Sequence, residues 1–172
     1  MLTLIYGSLT DRGDLRAENQ DSILCLQGNP EDKNAALFVV ADGMGGLSYG
    51  AMVSSFITDM FEEWWNEDLP EMMRAGRTDR EDIRELLEQE IWDINNRILE
   101  FKRVNNTRCG STLSLLLIYE DSFYIENMGD SRVYRLSSEG LCRLTVDQTL
   151  RAQLLREGRI SEEELKSFKK KN

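Results

Sequence analysis

The stretch STLSLLLIYEDSFYIENMGDSRVYRLSSEGLCRLT, residues 111–145, sets the fold class. Four short apolar runs, 111–119, 122–127, 132–136 and 141–144, are separated by small polar turns at 120–121, 129–130 and 138–140. Runs of strand length joined by such turns predict an antiparallel meander. Toward the N-terminus the period changes. Val53, Phe56, Ile57, Met60, Phe61 and Trp64 recur at three- and four-residue steps, and so do Ile83, Leu86, Leu87, Ile91, Ile94 and Ile98. Each set forms one face of a long helix. Pro70 and Gly76 break the pattern over 69–78, and Thr78 with Glu81 predicts a capping box at the second helix. Ahead of the helices, 2–6, 23–26 and 36–40 predict strands, and DGMGG (42–46) reads as a turn too rich in glycine for either regular element. After the meander, 149–157 and 161–168 predict short helices split by Gly158, the second opened by Ser161 and Glu164. Strands, two long helices and a meander in that order define an α+β fold, with helices packed on antiparallel sheet.

The chain has 172 residues, enough for one domain spanning 1–172. With 41% hydrophobic and 30% charged residues it is globular rather than disordered. It carries 21 basic and 31 acidic residues, a net charge of −10. Such a chain has no general attraction for nucleic acid or for anionic membranes. Residues 59–100 hold 14 acidic and 5 basic residues, so nearly all the excess lies on the helical segment, as a solvated outer face. Histidine is absent, which excludes Ser-His-Asp and Cys-His catalysis and His-ligated zinc within these residues. Cys25, Cys109 and Cys142 form no C-x-x-C pair, as expected of reduced thiols in a cytoplasmic protein. The start lacks a basic leader, and the longest apolar run, 113–119, is a strand's length and too short for a membrane span.

Three polar clusters could carry chemistry. Asp42-Gly43-Met44-Gly45-Gly46 follows an apolar strand. A carboxylate at a strand end is rigidly held, and flanking glycines let backbone groups approach an ion or a phosphate. Arg16-Ala17-Glu18-Asn19-Gln20-Asp21 combines a guanidinium, suited to forking onto a phosphate, with nearby carboxylates. Asn127-Met128-Gly129-Asp130-Ser131-Arg132 lies between two predicted strands. Taken singly, each is also what an ordinary turn or charged loop contains.

Together and in order, these clusters resemble the metal-dependent serine/threonine protein phosphatases of type 2C, in their bacterial form. The stretches that carry the resemblance are Asp11-Arg12-Gly13 with Arg16 and Asn19-Gln20-Asp21, VVADGMGG with Gly50 and Ser54, and Gly110-Ser111-Thr112-Leu113. NMGDSRVYRL, Leu144-Thr145-Val146-Asp147-Gln148 and LLREGRISEEEL complete the set. The resemblance implies an antiparallel β-sandwich flanked by helical pairs. It implies hydrolysis of phosphoserine or phosphothreonine esters in protein substrates by water activated at a two-metal Mn²⁺ or Mg²⁺ centre. It makes Asp42 the carboxylate that bridges the metals and Gly43 a carbonyl ligand. Arg16 grips the substrate phosphate, and Asp21 holds a metal-bound water directly or through a neighbour. Asp130 matches the position of a third, loosely held metal. Gln20 stands where some members carry glutamate, and Met44 where other branches carry histidine.

The family also places two metal aspartates in later Ser-Asp-Gly and Asp-Asn motifs, and the sequence ends at Asn172 before either. The expectation is therefore the N-terminal portion of such a domain. Metal affinity is then weak, turnover is small or absent, and unpaired sheet edges favour a homodimer or strand exchange. The alternative is a non-catalytic, phosphatase-like interaction module.

Overall fold

The computed structural model describes residues 4–46 and 49–161. They divide into two compact units, Met1–Glu126 and Asn127–Asn172.

In the first unit β1 (Asp21–Gly28), β2 (Ala35–Gly45), β4 (Leu113–Tyr119) and β5 (Ser122–Met128, whose end enters the second unit) follow one another across a single sheet. The short β3 (Cys109–Ser111) also pairs with β2. β2 is the axis of this sheet. It runs antiparallel to β1, with Asp21 opposite Asp42 and Gly28 opposite Ala35, and antiparallel to β4, with Ala35 opposite Tyr119. Leu37, Val39 and Ala41 alternate along β2 and are fully buried, as the two-residue strand period demands. Helix α1 (Tyr49–Asn66) packs on β1 and β2. Its Val53, Ile57, Phe61 and Trp64 are buried, each contributing about 1.5–3 kcal/mol by removal from water. Helices α2 (Asp68–Arg74) and α3 (Arg80–Val104) complete the unit, with Leu69, Ile83 and Leu87 fully buried. No helix among the described residues is long and apolar enough to cross a membrane.

The architecture is α+β with antiparallel pairing, as the sequence predicts, and four local expectations are corrected. DGMG is strand, not turn: β2 continues through Gly45, with Gly43 opposite Ser111 and Gly45 opposite Cys109. Pairing with β3 outweighs the weak strand preference of glycine. The strand expected over 2–6 does not form in its described part. Ile5 is 98% exposed, and Tyr6 meets the sheet only by an edge-to-face contact with Phe38 at 5.4 Å. The break over 69–78 contains α2, because Pro70 falls in the first turn, where no N–H donor is needed. The capping box of α3 uses Asp79, not Thr78. Asp79 accepts from the N–H groups of Glu81 and Asp82 at 2.9 Å each, and Asp82 accepts from the Asp79 N–H at 3.3 Å.

In the second unit β6 (Tyr134–Ser137) and β7 (Gly140–Arg143) pair antiparallel as a separate two-stranded sheet, so the meander does not run on as one ladder. Helix α4 (Leu150–Arg156) is capped by the Thr149 hydroxyl, which accepts from the Ala152 N–H at 3.1 Å. The helix expected over 161–168 lies, beyond Ser161, outside the described residues.

Candidate active site

The start of β1 and the far half of β2 create a polar cavity of about 210 Å³ in the first unit. Asp21 and Asp42 stand directly opposite one another in the antiparallel pair. Opposed residues point to the same sheet face with Cβ atoms about 5 Å apart, and both carboxylates line the cavity. Gly43, Arg16, Gln20 and Asn19 line it as well, together with Asp11, Arg12 and Glu18.

The backbone beneath the carboxylates is tightly fixed. The Asp42 N–H donates to the Thr112 hydroxyl at 3.1 Å, and the Thr112 N–H donates to the Asp42 carbonyl at 2.9 Å. The Gly43 N–H donates to the Gln20 carbonyl at 2.9 Å. Strand geometry turns the Gly43 carbonyl to that same edge. The Gln20 carbonyl also accepts from the hydroxyl of Ser54, a fully buried residue, at 2.7 Å, and Ser54 in turn accepts from Ser22 at 3.1 Å. A Cβ on Gly43 would fall onto the Gly50 carbonyl in the first turn of α1. Glycine is therefore required here by close approach of two backbones.

The loop before β1 is tied at its base. The Asn19 side chain donates to the Thr10 hydroxyl at 2.8 Å and accepts from the Asp21 N–H at 3.1 Å. Between these anchors the Asp11 carboxylate accepts from the Gly13 N–H at 2.6 Å, with Gly13 at φ +70°. This is an Asx turn. Arg16 stands on this loop, exposed, and lines the cavity.

Four of the expected site residues, Arg16, Asp21, Asp42 and Gly43, thus meet in one cavity. Gln20 is there too, but its amide donates to the Gly45 carbonyl at 3.3 Å, so it braces β2. Met44 is 57% exposed. Asp130 belongs to the second unit, exposed in the turn after β5. That turn is strapped by Gln148, whose N–H donates to the Gly129 carbonyl at 2.7 Å and whose side chain donates to the Asn127 carbonyl at 2.8 Å. Asp147 accepts two bonds from Arg132, at 2.8 and 2.6 Å, and these hold its carboxyl below the ordinary range. The supporting roles of Thr112, Ser54 and Asn19 were not assigned from sequence. Each lies inside a quoted motif, yet none shows its hydrogen-bond partner there.

The donor set is all oxygen, which suits hard cations such as Mn²⁺ and Mg²⁺ and not softer metals. Among the described residues no group of three or more His, Cys, Asp and Glu side chains could hold a metal ion. The facing pair Asp21 and Asp42, with the Gly43 carbonyl, would fit as part of the shell of such a cation.

The sheet end thus presents two opposed carboxylates in one cavity with Arg16. Residues 15–153 match the family described as protein phosphatase 2C, and the chain belongs to that family. It is 32% identical over 166 residues to the serine/threonine phosphatase stp of Listeria welshimeri, covering 95% of this chain and 62% of that protein. It is 30% identical over 171 residues to the serine/threonine protein phosphatase PstP of Mycobacterium tuberculosis, covering 96% of this chain and 29% of that protein. The chain thus spans about three fifths of the length of the Listeria relative or less of longer ones. Among solved structures, the S. agalactiae serine/threonine phosphatase superposes with a TM-score of 0.74 at 28% identity, over 90% of this chain and 60% of that one. The catalytic domain of PstP in complex with two manganese ions superposes with a TM-score of 0.68 at 27% identity, over 90% and 60%.

Proposed function

We propose that the chain serves in hydrolysis of phosphoserine and phosphothreonine esters of proteins, with Mn²⁺ or Mg²⁺ as cofactor. The observation that carries this reading is the placement of Asp21 and Asp42 opposite one another in a cavity shared with Arg16. Asp42, with the Gly43 carbonyl, would hold the metal from β2, and Asp21 would hold it, or water bound to it, from β1. Bound divalent metal supplies charge neutralisation and an acidified water. Arg16 receives the phosphoryl oxygens, its planar fork matching two of them. Thr112 and the Gln20 carbonyl fix the strand so that the two carboxylates keep their spacing. By the resemblance, Asp130 would offer a carboxylate to a further, loosely held metal. Two side-chain carboxylates would offset the charge of one divalent cation and half that of two. The family match runs through both compact units, which supports reading them as parts of one domain.

The test is hydrolysis of p-nitrophenyl phosphate against rising Mn²⁺, beside Asp42→Ala. The expected result is Mn²⁺-dependent hydrolysis that falls at least about 100-fold in the variant, since loss of a mere supporting partner costs up to that much. Equal inertness of both proteins at saturating Mn²⁺ would remove the catalytic reading and leave a phosphoprotein-binding module.

A further inference from the structure

Arg12 has no place in the chemistry above, yet it lines the same cavity. Among the described residues neither Arg12 nor Arg16 has an ion-pair or hydrogen-bond partner, although Asp11, Glu18, Asp21 and Asp42 line the cavity with them. The nearest carboxylate in sequence, Asp11, is engaged by the Gly13 N–H in the Asx turn that has Arg12 at its centre. The loop is closed at its base by Asn19 and Thr10, so both arginines ride on one tethered segment, four residues apart. Several arginines elsewhere are spent on carboxylates, Arg77 on Asp82 and Glu85, Arg84 on Glu81 and Glu88, and Arg132 on Asp147, but Arg12 and Arg16 remain unspent although carboxylates share their cavity. One guanidinium satisfies one phosphoryl group through its fork. A second one lining the same cavity, with no partner among the described residues, is suited to a second anion.

We infer that Arg12 is a specificity-determining residue that receives a second anionic group, a carboxylate or a second phosphoryl, next to the phosphorylated residue of the substrate peptide. This rests on the proposed function and names its substrate class: phosphopeptides with a negatively charged neighbour. Without Arg12, the surrounding carboxylates would repel such a neighbour.

The test is a peptide titration of the full chain followed by NMR, with no metal added so that nothing is hydrolysed. Four peptides are compared: a phosphothreonine flanked by alanines, the same with flanking glutamates, a doubly phosphorylated form, and the glutamate peptide without phosphate. The expected result is about fivefold tighter binding of the anion-flanked phosphopeptides than of the alanine-flanked one, the size of one well-placed exposed ion pair. Arg12→Ala and the milder Arg12→Gln bring that ratio to one or below, whereas Arg16→Ala weakens every phosphopeptide. A gain for both anionic neighbours, or for the second phosphoryl alone, supports the inference and identifies the anion. An unchanged ratio in the Arg12 variants, or an equal weakening of all phosphopeptides, overturns it while leaving the proposed function standing. Equal binding of the glutamate peptide with and without phosphate, or no binding of any peptide, overturns the inference as well, while the proposed function stands or falls by its Mn²⁺ assay.

Discussion

At the scale of single residues, the site depends on what cannot be added as much as on what is present. Gly43 has no room for a methyl group, because the first turn of α1 lies against it. Gly43→Ala is expected to cost about 3 kcal/mol through forced separation of β2 from α1. It should lower Tm by roughly 10 °C. A thermal melt followed by circular dichroism checks this, and an unshifted midpoint would show that the two backbones are not locked together. The residues expected to carry the chemistry were legible because their motifs are dense and ordered: Asp42, Asp21, Arg16 and Gly43 reach one cavity. The braces were not legible. Thr112 is 70 positions from the N–H that its hydroxyl accepts, and Ser54 is 34 from the Gln20 carbonyl. Such bonds follow from strand register, which no local pattern encodes.

At the scale of elements, helical faces were read well and boundaries less so. The stripes of α1 and α3 are periodic over several turns, and Val53, Phe61, Trp64, Ile83, Leu87 and Ile94 are buried. Helix starts depend on one or two hydrogen bonds, and so Thr78 was taken for the cap where Asp79 serves. Asp79 accepts from two N–H groups, so Asp79→Ala should destabilise the chain by about 1 kcal/mol, while Thr78→Ala should change it by less than about 0.5 kcal/mol. Urea denaturation of the two variants separates them, and a larger loss for Thr78→Ala would contradict the assigned cap. The strand through Asp42–Gly45 was missed for a different reason. Glycine content is a local signal for a turn, whereas the ladder to β3 is formed by residues more than 60 positions away.

At the scale of the whole molecule, the surplus of negative charge leaves a mark on stability. Glu90 is a half-buried residue of α3, and its carboxyl is pushed up from 4.5 to about 7. Burial is the largest cause, followed by Asp68 and Asp93; Arg97 opposes the rise, and Glu63 adds to it. Glu90 Oε1 is buried and has no hydrogen-bond partner among the described residues. Because the folded pKa is raised, the folded state keeps a proton that the unfolded chain releases first. The stability from this group is fully present below about 4.5 and is lost as pH rises through about 7. For a group only half-buried, solvent screening leaves about 1 kcal/mol of this effect, or roughly 3 °C in Tm. Melts at about pH 5 and pH 8 should therefore differ by that amount, with Glu90→Gln flattening the difference by raising the higher-pH value. A variant as pH-sensitive as its parent would falsify the assignment to Glu90.

The Gln20 carbonyl receives both the Gly43 N–H and the Ser54 hydroxyl, and so joins β2 to the buried face of α1. That junction belongs to the main chain. Every amino acid carries the same carbonyl, so no substitution at position 20 deletes it. The main-chain part of this junction is thereby insulated from drift at position 20, and a substitution there removes only the side-chain brace to the Gly45 carbonyl. A site-saturation library at this position would sample changes in cavity charge and volume on an otherwise constant frame.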